Sequence, residues 1–304
     1  MLDLLKKAIR KLFKATVWPL ILYCFPKLAV TVFYKVFFGK YPNLKHPVTF
    51  NEKLQCLKIG PYYRDPFIHS CIDKYLVKSV LLDHFKQEEL KYASVYAAFD
   101  SVEAFFAAGF DRYPDRFVVK CNHGCGYNYL CADKSKLDVA DLKEKLTAWF
   151  SEDYWKKHVE YQYRFIKKKI FVEEYLENIG NTFKFYCFSG KPEFLYISNP
   201  DAEGNADVYL DFLDMDLNLL PVSLADHLHS GEKFEKTEVF EKMCRMAQTL
   251  SAPFPFVRVD LYEIAGGIGF SEFTFLPTGG YMRVEPESIL TEWGNLLDLN
   301  YTAK

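Results

Sequence analysis

The sequence has little that would carry it through a membrane, tie it together covalently or hold it on nucleic acid. The longest uncharged run of the apolar residues 2–40, Ala15 to Pro26, is interrupted by proline and too short to span a bilayer. No small-residue cleavage site follows an apolar core, so no signal peptide is evident. The eight cysteines are scattered, with no CxxC pair, and several fall in apolar runs such as Phe185 to Phe188. That excludes a disulfide framework and reads as buried thiols of a reducing compartment. The formal net charge is −2 and no basic block dominates, which is not a nucleic-acid-binding balance. A GxSxG nucleophile elbow, a Walker P-loop and a GxGxxG fingerprint are all missing, and no cysteine is clearly paired with an activating group. There is no internal repeat and no low-complexity linker.

What is present is a large apolar fraction. Half of the 304 residues are hydrophobic and 17% are aromatic. That is enough for one large domain with subdivisions, or for two domains.

The most informative stretch is Phe256 to Pro277. It reads as two strands joined by a short turn at Ala265-Gly266-Gly267. Pairing the arms about Gly266 sets Asp260 opposite Glu272 and Arg258 opposite Thr274. Residues two apart on a strand share a face, so these four lie on one surface. Val257, Val259, Leu261, Phe273 and Phe275 lie on the other and read as core. Facing carboxylates repel, so something positive should sit between them. A hard divalent cation such as magnesium suits an all-oxygen site. The plainer alternative is a solvated polar face neutralised by Arg258 alone.

A second stretch, Arg116 to Cys131, reads as strand, glycine loop, strand. Phe117 to Val119 deliver Lys120, and Asn122, His123, Gly124, Gly126 and Asn128 follow. Glycines let backbone N–H groups approach an anion, and a lysine adds a point charge. Cys121, His123, Cys125 and Cys131 cluster as well, which leaves zinc and a plain hairpin turn with buried thiols as alternatives.

Elsewhere, Thr49 or Asn51 caps a helix to about Lys58, and Asp73 opens one to about Phe85. Lys91 to Tyr96 reads as a strand, and Ser101 to Ala108 as a helix without a capping box. Residues 135–166 read as helical, and Lys167 to Lys169 as a solvated turn. Ile170 to Val172 form a strand ending in Glu173-Glu174-Tyr175-Leu176. Thr182 to Ile197 form a hairpin with Lys184 and Tyr186 on one face. Residues 199–231 give no clear pattern, although Asp214-Met215-Asp216 matches the metal motif of glycosyltransferases. Thr237 to Leu250 read as a helix with Met243, Ala247 and Leu250 inside. Near the start, Leu2, Leu5, Ile9, Leu12 and Phe13 alternate with Lys6, Lys7, Arg10, Lys11 and Lys14. This basic amphipathic pattern predicts a helix resting on an anionic membrane, with a lid packed on the domain as the alternative.

The ordered segments TFNEKL, DKY, FVVKCNHGCGYN, VEEYL, FKFYCFSGKP, FVRVDLY and SEFTF, from Thr49 to Pro277, resemble the TupA-like branch of the ATP-grasp superfamily. The resemblance implies an α+β fold in which two α+β lobes clamp a nucleotide. It divides the chain into an N-terminal amphipathic helical segment (1–45), an α/β subdomain (46–115), a first lobe with glycine loop and hinge strand (116–180) and a second lobe with the metal hairpin (181–304). It implies that ATP is bound by Lys120, Asn122, His123, Gly124, Gly126, Asn128, Glu173, Glu174, Tyr175 and Leu176. Magnesium would be held by Asp260 and Glu272. Arg258 and Lys184 would be catalytic. The implied activity is a carboxylate–amine ligase working through an acyl phosphate, acting on small-molecule or glycan substrates of bacterial surface polysaccharide synthesis. Glycosyl transfer and an inactive scaffold are the rival readings. The implied location is the cytoplasm, at the inner face of the cell membrane if residues 2–40 rest there. Two positions depart from the family pattern. Thr182 stands where an acid usually holds the ribose, with Glu177 as a substitute, and Thr274 stands where many relatives have a metal-binding asparagine.

Overall fold

The computed structural model describes residues 16–86, 90–177, 179–199, 209–224, 227 and 229–302. Two antiparallel sheets organise the chain. Strands β1 (Val95–Phe99), β2 (Phe117–Cys121), β3 (Asn128–Cys131) and β4 (Ile170–Glu174) form one, in the order β1-β4-β2-β3. Strands β5 (Thr182–Phe188), β6 (Lys191–Asn199), β7 (Tyr209–Asp214), β8 (Phe256–Ile264) and β9 (Gly267–Thr274) form the other, in the order β9-β8-β5-β6-β7.

Helices α1 (Trp18–Cys24), α2 (Pro26–Phe38), α3 (Phe50–Ile59), α4 (Pro66–Ile72) and α5 (Val77–Asp83) precede β1. Helix α6 (Val102–Ala107) follows β1, α7 (Val139–Ser151) separates β3 from β4, and α8 (Glu238–Ser251) separates β7 from β8. Helices α3 to α5 and α8 share a core with the five-stranded sheet, built on residues such as Phe50, Leu81, Phe185, Phe240 and Val259. Helices α6 and α7 share a second core with the four-stranded sheet, around Phe105, Phe117, Leu142, Leu146 and Val172. The segment 46–115 therefore contributes to both cores. Its helices α3 to α5 serve the larger sheet, and β1 with α6 serves the smaller one.

The chain changes sheets at Lys91. Its N–H donates to the Ile268 carbonyl (2.8 Å) and its carbonyl accepts from Phe270 N–H (2.9 Å). With Lys91 held by β9, the expected strand starts late, at Val95. The chain leaves β4 for the second crossing beside the first, because Glu174 N–H donates to the Ser94 carbonyl (2.9 Å).

Local signals placed most helices well. Thr49 caps α3 in a reciprocal box with Glu52. Asn51, the other capping candidate, is buried inside that helix, and its amide clasps the Met282 backbone from both sides. Ser101 and Thr237 cap α6 and α8, and Met243, Ala247 and Leu250 are buried as their spacing predicts. The expected helix over 135–166 is a correction, because α7 stops at Ser151. The Lys168 ammonium takes the carbonyls of Phe150 (2.9 Å) and Glu152 (2.8 Å), closing the helix end. Two short 3₁₀ turns follow, separated by Val159 at φ 57°. The lysine turn is thus structural rather than merely solvated, and Lys169 pairs with Asp100 at 2.8 Å. Strand β7 had no clear sequence signal because aspartates flank its Leu210 and Phe212. Residues 2–15 of the expected amphipathic helix lie outside the described residues.

Candidate active site

The cleft face of the larger sheet follows from strand register. Tyr196, Lys184, Asp260 and Glu272 are paired across β6, β5, β8 and β9. The neighbouring row on that face is Phe194, Tyr186, Arg258 and Thr274. Alternation thus delivers the four hairpin residues to one surface, with Val257, Val259, Leu261, Phe273 and Phe275 buried on the other. The turn is tighter than the three-residue loop expected, since Gly267 already pairs with Ile264. A bulge at Ser271 then restores the expected partnership of Asp260 and Glu272.

Cations surround these carboxylates. Arg258 grips Asp260 through two bonds, Nε to Oδ1 at 2.7 Å and Nη2 to Oδ2 at 2.6 Å. Arg258 Nη2 also reaches Glu272 Oε1 (3.3 Å) and Thr274 Oγ1 (3.0 Å), and Nη1 donates to Tyr196 Oη (3.1 Å). The other Glu272 oxygen receives Lys74 Nζ at 2.7 Å. Burial would raise the Glu272 carboxyl, but Lys74 and Arg258 outweigh it and hold its pKa down at about 2. Asp260 is more deeply buried, and there desolvation wins, leaving its pKa raised despite Arg258.

The opposite wall is built around Glu173. This buried carboxylate receives Lys120 Nζ at 2.5 Å and Lys78 Nζ at 2.8 Å. Burial alone would raise its pKa, but the two ammonium groups lower it. Lys120 pairs across the sheet with Asn128 and Phe171, so these share the cleft side of β3, β2 and β4. Lys74 and Lys78 were missed in the sequence. They are four apart where the DKY segment runs into α5, a spacing that puts two side chains on one helical face.

In and beside the β2–β3 loop, polar residues divide. Asn128 and Gly126 line the cleft. The side chains of Asn122 and His123, two residues expected to bind ATP, turn away from it. Asn122 is fully buried and donates to Asp73 Oδ2 (2.8 Å) and the Lys167 carbonyl (3.0 Å), while its own oxygen accepts from Lys169 N–H (2.7 Å). His123 Nε2 meets the Trp149 carbonyl at 3.0 Å, and burial pushes its pKa down to about 4. The two side chains fix the base of the loop. Gly124 is needed because a Cβ there would stand 2.4 Å from the Tyr127 ring and 2.8 Å from that of Tyr154. Gly126 adopts φ 76°, which glycine tolerates best. Among the described residues no group of three or more His, Cys, Asp or Glu could hold a metal, so the cysteine cluster does not form a zinc site. Burial raises the Cys121 thiol pKa to about 12.

Between the walls run two connected spaces. One, of about 410 Å³, is lined by apolar groups such as Val118, Leu130, Phe171 and Tyr262, by hinge residues Glu173, Glu174, Tyr175 and Leu176, and by Lys78 and Lys120. The other, of about 610 Å³, reaches Cys125, Gly126, Lys184, Asp260 and Glu272. Lys74, Lys120, Asn128, Thr182, Ser271 and Glu272 border both. Gly269 makes room for the Tyr262 ring, since a Cβ there would fall 2.0 Å from it. Glu177, the suggested substitute for a ribose-binding acid, pairs instead with Arg116. Asp214 and Asp216 form a turn in which Asp214 Oδ1 accepts from Asp216 N–H (2.8 Å) and Asn218 N–H (2.9 Å). That turn explains the DxD pattern without a metal.

Two α+β lobes facing across a cleft, with a glycine loop on one and paired carboxylates on the other, define the ATP-grasp class of fold. The chain belongs to the TupA-like ATP-grasp family, which matches residues 52–297. Solved structures with a similar fold include D-alanine–D-alanine ligase from Helicobacter pylori, at 15% identity over 75% of this chain and 61% of that one, TM-score 0.45. The same enzyme from Bacillus anthracis is 15% identical over 69% of this chain and 58% of that one, TM-score 0.36. The D-cycloserine synthetase DcsG is 17% identical over 78% and 74%, TM-score 0.39. The chain spans 61% or less of the length of these two D-alanine ligases, and the family assignment rests on the family match alone. No curated protein matches the chain.

Proposed function

We propose that this protein is an ATP-dependent carboxylate–amine ligase that works through an acyl phosphate, in the synthesis of a bacterial surface polysaccharide. The observation that carries the reading is the charge layout of the cleft. An apolar slot beside the hinge leads to a row of cations, and the row ends at two facing carboxylates.

In this reading the adenine lies in the slot against Val118, Leu130 and Tyr262, with hinge backbone at Tyr175 and Leu176 reading its edge. Lys120 and Lys78 exchange part of their hold on Glu173 for phosphate oxygens, and the loop from Gly124 to Gly126 covers them. Thr182, on the border of both spaces, offers the ribose a hydroxyl. Asp260 and Glu272 fit magnesium. Both are hard oxygen donors on the cleft face, and a carboxylate gripped by Arg258 still keeps free lone pairs. Magnesium commonly takes one or two carboxylates and completes its shell with phosphate and water. When bound, it would neutralise phosphate charge.

The substrate carboxylate oxygen attacks the γ-phosphorus, the bond to the β-phosphate oxygen breaks, and ADP leaves. Arg258 and Lys184 stabilise the charge spreading over the transferred group. The amine nitrogen then attacks the acyl carbon, phosphate departs, and the nitrogen loses a proton to give the amide. The chain's contribution is positioning, electrostatic stabilisation and exclusion of water.

The test is ADP release from the purified protein supplied with panels of amino acids and uronic acids as carboxylates, with hydroxylamine as the amine. A hydroxamate formed one-for-one with ADP is the expected product of an acyl phosphate. Transfer of sugar from a nucleotide sugar, with no ADP formed, would replace the ligase reading.

A further inference from the structure

The α1–α2 pair covers the body with one side only. Leu22, Ala29 and Val30 are buried against Trp155, Val159 and Tyr161, and Tyr161 Oη donates to the Leu22 carbonyl at 2.7 Å. The other side is apolar and open. Val17, Leu20 and Cys24 recur along one face of α1, and Leu28, Val32 and Val36 along one face of α2. Phe25 stands at the elbow between them, where Pro26 starts the second helix. Leu20, Phe25 and Val36 are 56%, 54% and 80% exposed. Monomeric proteins rarely leave such large side chains open in one stripe without a partner for it.

The segment's own charge has one sign. Between Leu4 and Asn51 the sequence has no aspartate or glutamate, yet it carries lysines at 27, 35, 40 and 45 in the described part alone. From the body, Arg164 and Lys156 stand over the Tyr23 ring at 4.7 and 5.2 Å. Lys40 pairs with Glu287 (2.6 Å) and Lys156 with Asp153 (2.7 Å), so only part of this charge is neutralised locally. Among the described residues no helix is long and apolar enough to cross a membrane. The 13 residues of α2 reach about 20 Å, against about 30 Å of hydrocarbon.

We propose that this face docks on an anionic lipid bilayer. Leu20, Phe25, Leu28 and Val36 enter the boundary between headgroups and acyl chains. The lysines at the rim meet acidic headgroups, and the helices lie in the surface plane. Tyr23, beside the elbow and partly exposed, suits that boundary with an apolar ring and a polar hydroxyl. This inference is independent of the ligase reading.

The test is flotation of the full chain with two kinds of vesicle, pure phosphatidylcholine and an equal mixture of phosphatidylcholine and phosphatidylglycerol. The expected result is recovery with the mixed vesicles, at least about tenfold weaker binding to the neutral ones, and release at high salt, as the surface charge of anionic lipid predicts. The triple variant Leu20→Ser, Phe25→Ser, Leu28→Ser should lose about tenfold or more in binding, with an unchanged melting temperature. If that variant does not fold, Lys27→Glu with Lys45→Glu decides, by losing the preference for anionic vesicles. No recovery with mixed vesicles, or equal recovery with both kinds, overturns the proposal. So does full binding by a folded variant. Concentration-dependent self-association that the serine variant abolishes, without vesicle binding, would assign the face to a second copy of the chain instead. ATP binding measured on the same variants should be unchanged, which separates this test from that of the ligase.

Discussion

On the β8–β9 hairpin, Arg258, Asp260, Glu272 and Thr274 share one face and form one network. On the opposite wall, Lys120 of β2 and Asn128 of β3 face the cleft by the same alternation, while Asn122 and His123 in the loop between those strands turn inward. The difference lies in the backbone. A strand alternates its side chains, so a residue's direction follows from counting. A loop has no period, and each side chain goes where its hydrogen bonds and packing are best satisfied. Asn122 finds three partners under the loop, the buried Asp73 among them, and takes them. The hairpin is therefore read by spacing, and the loop is read by its partners.

The sharpest break of this comparison is on the hairpin. Asp260→Asn should abolish turnover and also lower the melting temperature. It takes from the buried Arg258 its closest charge partner and leaves only the 3.3 Å contact to Glu272, a loss of about 3 kcal/mol for a pair of this kind. Glu272→Gln should abolish turnover with a smaller fall, because Glu272 is partly exposed at 29%. Hydroxamate assays and thermal melts on both variants check the contrast. Turnover near wild type in either would remove that residue from the metal assignment.

Across the cleft, Lys120→Ala is expected to cut turnover by roughly a hundredfold, about 3 kcal/mol of transition-state stabilisation, with some loss of stability because the buried Glu173 keeps only Lys78. Asn122→Ala should cost stability alone. It strands the buried Asp73 carboxylate and the Lys169 N–H, costing about 1–3 kcal/mol, while ATP affinity stays close to wild type. Calorimetric titration with ATP beside a melt of each variant separates the two roles.

A smaller effect comes with pH. Folded His123 has a pKa near 4, against an ordinary value of 6.5. Between those values the unfolded chain binds more protons, so stability should fall as pH drops from 6.5 towards 4. His123→Gln, which stays neutral, should flatten that part of the melting curve. The smallest change is expected for Cys125→Ser, since the thiol has no part in phosphate binding. Elemental analysis should find no stoichiometric zinc in the wild type.

Much of this was legible in the sequence where structure is periodic or capped. The facing of Asp260 and Glu272, the inner side of α8, the cap at Thr49 and the strand delivering Lys120 all follow from alternation, helical spacing or capping chemistry. The bulge at Ser271 was not visible, and the expected register at Asp260 holds because of it. What stayed hidden depends on distant partners. Lys74 and Lys78 look like surface residues of a helix start until Glu272 and Glu173 are brought beside them. Helix α7 ends early because a lysine from the next loop takes its last carbonyls. The chain leaves one sheet for the other at Lys91, which no local pattern marks.

The most direct test of the account is a calorimetric titration of the full chain with ATP, ADP, UDP-glucose and GDP-mannose, each with and without magnesium. The account predicts that ATP and ADP bind, that magnesium tightens ATP, and that Glu272→Gln removes the magnesium effect while Lys120→Ala weakens ATP in either condition. Tighter binding of a nucleotide sugar than of ATP, or ATP binding that ignores both substitutions, would contradict it.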